Sequence, residues 1–156
     1  MCMMLYIGAD NELQNNQKQP IYIQELDCSY DDDNFANNTL AKKYKYQVMI
    51  DGGCACDFAF DYTDNHFNKL PKIVQKFTSK PEYDKERKEV NDNRKQYVES
   101  LFEYIRTNVI NDSCELLSFW TGDFQEKDKT TLNLRNFEFE DSFKFAEEHI
   151  TVFVSI

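Results

Sequence analysis

Ser79-Lys80-Pro81-Glu82 opens the segment that most restricts how this chain can fold. A serine followed three residues later by glutamate is the reciprocal capping pattern of a helix start. Proline is tolerated in the first turn, where its missing N–H has no partner to lose. Val90, Tyr97, Val98, Leu101, Phe102, Ile105 and Val109 then follow the 3.6-residue period and make one apolar stripe. Asn111-Asp112 ends the pattern. Residues 82–89 lack the stripe and are expected to project into solvent or fray. A helix with one apolar side must bury it, so the rest of the chain has to supply the matching surface.

Strand patterns supply it. Residues 2–7 read as a first strand closing at Gly8, and 21–26 as a second led in by Pro20. Residues 114–120 are strongly apolar and should return antiparallel to the helix as a central strand. Thr121-Gly122-Asp123 turns out of it. Alternation over 132–139, with a break near Asn136, and over 150–156, with Ile150, Val152 and Val154 on one face, marks two more strands. Residues 27–38 read as a solvated acidic loop, because Asp31-Asp32-Asp33 lacks the central glycine and terminal glutamate of a calcium loop. One helical turn is expected over 37–43. Residues 64–78 are irregular around Pro71, with a short helix over 72–77. The expectation is an α+β fold, one long helix packed on a largely antiparallel sheet of about five to seven strands, in a single domain over residues 1–156.

The segment with most chemical content is 44–62. Tyr44, Tyr46, Val48 and Ile50 alternate with Lys45, Gln47 and Met49, and after Asp51-Gly52-Gly53 a second alternation carries Cys54, Cys56, Phe58, Phe60 and Tyr62. Asp-Gly between alternating runs predicts a β-hairpin. A three-residue loop with one glycine at positive φ pairs Ile50 with Cys54, Val48 with Cys56 and Tyr46 with Phe58. A two-residue loop would put Asp57 among aromatics. On this register Cys54 and Cys56 point the same way, where unpaired cysteine serves as a small hydrophobe. The alternative is a thiol-based metal or redox site at Cys54 and Cys56, helped by Cys2 or His66, with Cys28 and Cys114 also in reach. Zinc is the metal such thiols would take, although Cys-x-Cys is tighter than its usual chelate spacing and no second pair is present. A disulfide between Cys54 and Cys56 within one strand would be strained.

Cys2 follows the initiator Met, whose removal would expose an N-terminal thiol with its own amine as base. The start is similar to the Met-Cys-Gly-Ile of class II glutamine amidotransferases, which implies a nucleophilic Cys2, with Met3-Met4 in place of Gly-Ile. The plainer reading puts Cys2 at the start of an edge strand. His149 precedes the last strand, and Asp123 sits in a turn. No nucleophile elbow, phosphate-binding glycine loop or zinc-protease motif is present. The start Met1-Cys2-Met3-Met4-Leu5-Tyr6-Ile7-Gly8-Ala9-Asp10, the stretch Gly53-Cys54-Ala55-Cys56-Asp57-Phe58 and Glu115-Leu116-Leu117-Ser118-Phe119-Trp120-Thr121-Gly122-Asp123 together resemble a group of uncharacterised bacterial proteins. In those, the middle segment reads Gly-Cys-Gly-Cys-Gly-Phe; here Ala55 and Asp57 replace the inner glycines. The resemblance implies a bacterial cytosolic protein and carries no activity.

With 28 acidic and 18 basic residues the chain has a net charge of −10, which disfavours DNA phosphates and anionic membranes and suits a basic partner. No apolar run reaches the length of a membrane span, and no basic region followed by an apolar stretch opens the chain. Five scattered cysteines do not form a disulfide framework and fit reduced thiols in the cytoplasm. These features favour a non-enzymatic binding protein with a basic protein partner and no cofactor. The thiol site is the alternative.

Overall fold

Two nearly continuous apolar runs take the middle of the sheet, where both faces are covered. The structure is a computed structural model that describes residues 2–17, 20–50, 55–59, 66–109, 113–133 and 149–154. Among these, β1 (Met3–Ala9), β2 (Ile21–Glu25), β3 (Tyr44–Ile50), β4 (Ser113–Trp120), β5 (Asp128–Asn133) and β6 (His149–Val154) form one sheet ordered β2-β3-β1-β4-β6-β5. All neighbours are antiparallel except β5 and β6. The helices are α1 (Asp31–Thr39), α2 (Cys56–Ala59), α3 (His66–Lys69), α4 (Lys72–Phe77) and α5 (Lys80–Asn108). The fold is α+β, with one long helix on a largely antiparallel sheet. β1 lies between β3 and β4, so Cys2 precedes a central strand and not an edge.

Strand alternation sorts the core into two faces. Met3, Leu5 and Ile7 of β1 lie beside Val48, Tyr46 and Leu116 of its neighbours, under Val98, Leu101, Phe102 and Ile105 of α5. Full burial of such side chains contributes about 1.5–3 kcal/mol each. α5 begins with the expected capping box, in which Ser79 and Glu82 exchange side-chain and backbone hydrogen bonds. Its first turns are not bare. Tyr83 packs on Phe67 with ring centroids 5.4 Å apart, and Arg87 is buried with its guanidinium 5.6 Å from the Tyr83 ring. Phe67 of α3 covers the Tyr83 side of these turns, while Glu82, Lys85, Glu86, Lys88 and Glu89 stay exposed as the sequence predicts.

The opposite face carries Tyr6, Leu117 and Phe119 beneath Ala36 and Leu40. The helix that supplies these, α1, replaces the solvated loop expected over 27–38. Asp31, Asp32 and Asp33 form its first turn, where carboxylates are favoured by the helix dipole. Asp33 is buried and accepts hydrogen bonds from Tyr6 Oη (2.8 Å) and the Asp27 amide (2.9 Å). Burial first, and then this bond to a carboxylate, push the Tyr6 hydroxyl far above its usual pKa. On the same face, buried Glu115 accepts from the amides of Ala41 (2.8 Å) and Lys42 (3.2 Å) and from Lys129 Nζ (2.8 Å). It thereby fixes the loop between α1 and β3. Gly8 lies opposite Glu115, where an added Cβ would come within 3.1 Å of Lys42 Cβ.

The hairpin is overturned. Both edges of β3 are occupied, by β1 and β2, so residues 55–59 have no strand position beside it. They form the short helix α2 instead. The i, i+3 pair Ala55 and Phe58 is buried, whereas strand alternation had put these two on opposite sides. The proposed loop over 51–53, its positive-φ glycine and Cys54 lie outside the described residues. Gly122 does adopt a positive φ of 83°, in a turn closed by the Asp123 amide on Trp120 C=O (2.9 Å). Of the strand expected over 132–139, only residues 132–133 fall in a described strand, β5, which starts at Asp128. Residues 134–139 lie outside the described set.

Candidate functional site

The thiols divide by position. Cys114 is fully buried in the core, where burial pushes its pKa up to about 12 and leaves it unreactive. Cys2 and Cys28 are exposed. Cys56 is half-buried against the core at the start of β1, where its Sγ accepts a hydrogen bond from the Met3 amide at 3.3 Å and the Ala55 amide donates to Met3 C=O at 3.3 Å. Peptide geometry then places the Cys56 sulfur within about 6 Å of Cys2 Cα. The fold therefore brings Cys2 and Cys56, 54 residues apart in sequence, to one strand end. Cys54 and the His66 side chain are not among the described groups. Among the described residues no cluster of three His, Cys, Asp or Glu side chains is arranged to hold a metal ion.

A second concave feature lies on the flank of α5. Gln96, Glu99, Ser100, Glu103 and Thr107 fall on one side of the helix and face Asn16, Pro20 and Ile21 across an open groove of about 450 Å³. Positions three and four apart share a helix face, which is why both carboxylates look into it. The opposite wall is held firmly. Tyr104 Oη donates to Gln14 C=O, and Asn11 Nδ2 donates to Asn108 C=O at 2.9 Å. Asn16 pairs its backbone with Ile23 and donates Nδ2 to Ile21 C=O at 2.9 Å. Burial pushes the Tyr104 hydroxyl up to about 12, so it stays a donor across the ordinary pH range. Glu99 and Glu103 are exposed, and among the described residues no lysine or arginine lines the groove.

The sequence reading picked out neither glutamate. Their signal was present, as a polar stripe at 96, 99, 100, 103 and 107 running beside the apolar one. The groove's other wall depends on how the loop before β2 folds back, which periodicity does not encode. Chemically, the groove offers two carboxylates, amide and hydroxyl groups and a small apolar wall at Pro20. Such a lining suits a cationic, hydrogen-bonding guest. None of the described helices is long and apolar enough to cross a membrane. Comparison with family models, curated proteins and solved structures gave no match.

Proposed function

We propose that this chain is a non-enzymatic binding protein whose α5 groove receives a basic segment of a protein partner. The observation that carries the reading is the groove's lining, with Glu99 and Glu103 on one wall and no cation among the described residues. Two exposed carboxylates contribute only about 0.2–1 kcal/mol each to an ion pair. Their larger role is orientation, while the net charge of −10 speeds the approach of a basic partner. Fluorescence anisotropy with a labelled oligolysine peptide tests it. Glu99→Gln/Glu103→Gln should weaken binding severalfold, whereas Glu86→Gln/Glu89→Gln, on exposed turns of the same helix outside the groove, should not. Equal effects of the two pairs would reduce the binding to net charge and remove the groove from it.

A second reading, favoured by the Cys56–Met3 contact, makes Cys56 with Cys54 and Cys2 a thiol site for redox chemistry or zinc. Thiol titration in native buffer and in denaturant, with elemental analysis beside it, decides this reading. Rapid native reaction of Cys56 or stoichiometric zinc supports it. Reaction of Cys56 only after unfolding, without metal, leaves that cysteine a packing residue.

A further inference from the structure

We propose that the chain pairs with a second copy of itself, the α4 helix of each copy seating in the α5 groove of the other. This partner assignment rests on the reading of the groove as a receptor for a basic segment.

The observation is α4. Phe77 is 83% exposed and Ile73 65%, and no residue of this helix is buried. Ile73, Val74 and Phe77 share one side at i, i+3 and i+4 spacing, so the exposed apolar atoms form one ridge. The helix is nonetheless formed: Gln75 Nε2 donates to Leu70 C=O at 2.7 Å, and the Val74 amide closes on Pro71 C=O at 2.9 Å. A shaped apolar ridge presented to water is a docking element.

Its charge names the occupant. Residues 65–81 hold four lysines, Lys69, Lys72, Lys76 and Lys80, and no acid; the remainder of the chain therefore carries a net charge of −14. An anionic bilayer or nucleic acid would attract the lysines and repel everything else. Another copy of this chain attracts them with its acidic remainder. Lys72 and Lys76 are four residues apart, as are Glu99 and Glu103, about 6 Å along each helix. Two ion pairs therefore form in register, leaving Phe77 for the wall at Pro20. The contact cannot be made within one chain. From Lys80, at the start of α5, the helix runs about 24 Å before reaching Gln96. A two-fold pair makes both contacts at once and closes.

Sedimentation velocity across a wide concentration range, with the full chain, tests the pairing. The expected result is a concentration-dependent dimer that Phe77→Asp weakens by about 30-fold or more, the loss typical of a central aromatic anchor. Since Phe77 is exposed, its circular dichroism should be unchanged. Lys72→Glu/Lys76→Glu should also weaken the dimer, and adding Glu99→Lys/Glu103→Lys to that chain should restore it. A monomer at every concentration overturns the proposal, as does a dimer indifferent to Phe77→Asp or a charge swap that restores nothing. A monomer that binds phosphatidylserine vesicles through Phe77 overturns it in favour of a bilayer. The oligolysine titration, run on Phe77→Asp, separates the two failures. Glutamate-dependent peptide binding keeps the groove as a receptor even where self-pairing fails, and loss of that binding ends both.

Discussion

Lys127 should be dispensable for stability in a way that its ion-pair partner is not. Its side chain is 1% exposed, and its Nζ lies 3.2 Å from Asp123 Oδ2 without the alignment of a hydrogen bond. The ammonium also sits 5.9 Å from the Phe35 ring and 6.0 Å from the Phe119 ring. Burying the charge costs several kcal/mol, while each ring returns about 0.5–2 kcal/mol. Lys127→Met keeps most of the volume, removes the desolvation cost and leaves Asp123, 20% exposed, in reach of water. The expected change lies between zero and about 2 kcal/mol of added stability. Asp123→Asn retains an acceptor for the Gln125 amide but strands the ammonium, costing about 2–4 kcal/mol. Urea denaturation followed by fluorescence of Trp120, the sole tryptophan and half-buried at the end of β4, measures both. A loss above about 1 kcal/mol for Lys127→Met would refute the reasoning, because the cation would then be a net stabiliser.

The other predictions use the same assay. Glu115→Ala unties two loop amides and an ammonium and should cost about 3 kcal/mol, whereas Lys129→Ala, whose side chain is 51% exposed, should cost under about 1 kcal/mol. Equal losses would mean that the ion pair, and not the loop anchorage, matters. Cys114 is raised from 9.0 to about 12, so its contribution is complete below pH 9 and is lost as pH climbs toward 12. Cys114→Ala should flatten that alkaline limb, and an unchanged slope would assign it to Tyr6, Tyr46 and Tyr104. Ser79→Ala should cost about 1 kcal/mol through the lost helix cap; no change would mean that the first turn is already frayed.

What was legible in the sequence tracks how local the cause is. The Ser79–Glu82 cap, the stripe from Val98 to Val109, the helix Lys72–Phe77 and the strands at Met3–Ala9, Ile21–Glu25, Ser113–Trp120 and His149–Val154 rest on spacing within a dozen residues. The misreadings needed long-range knowledge. Asp31-Asp32-Asp33 looks solvated until Tyr6 Oη, 27 residues away, turns Asp33 into a buried acceptor. The alternation of Cys54, Cys56, Phe58 and Phe60 suits a strand until β1 and β2 fill both edges of β3. In both places the local pattern admits two structures, and the sheet's neighbours choose. The candidate site was read least well. Cys56 comes near Cys2 in the fold because residues 55–56 bond to Met3 at the start of β1. The groove exists only because Tyr104 and Asn11 pull residues 11–17 onto α5.

The length of α5 links these features. Its 29 residues span about 43 Å, yet its buried aliphatic and aromatic side chains begin at Val98. The first half, where Arg87 and Arg94 are the buried residues, finds its cover in other parts of the chain. Arg94 Nε donates to Phe58 C=O at 3.0 Å and so holds α2, while Tyr83 meets Phe67 beside α3. That cover consists of short helices, and the last of them, α4, has no buried residue. The same helix thus separates two surfaces of opposite character. At its core-packed end the flank is lined by Glu99 and Glu103; at its start the chain displays Lys72, Lys76 and Phe77. A shorter helix would let the basic ridge fold back onto the acidic flank. The 29-residue one keeps them apart, which leaves both surfaces open to the intermolecular pairing proposed above.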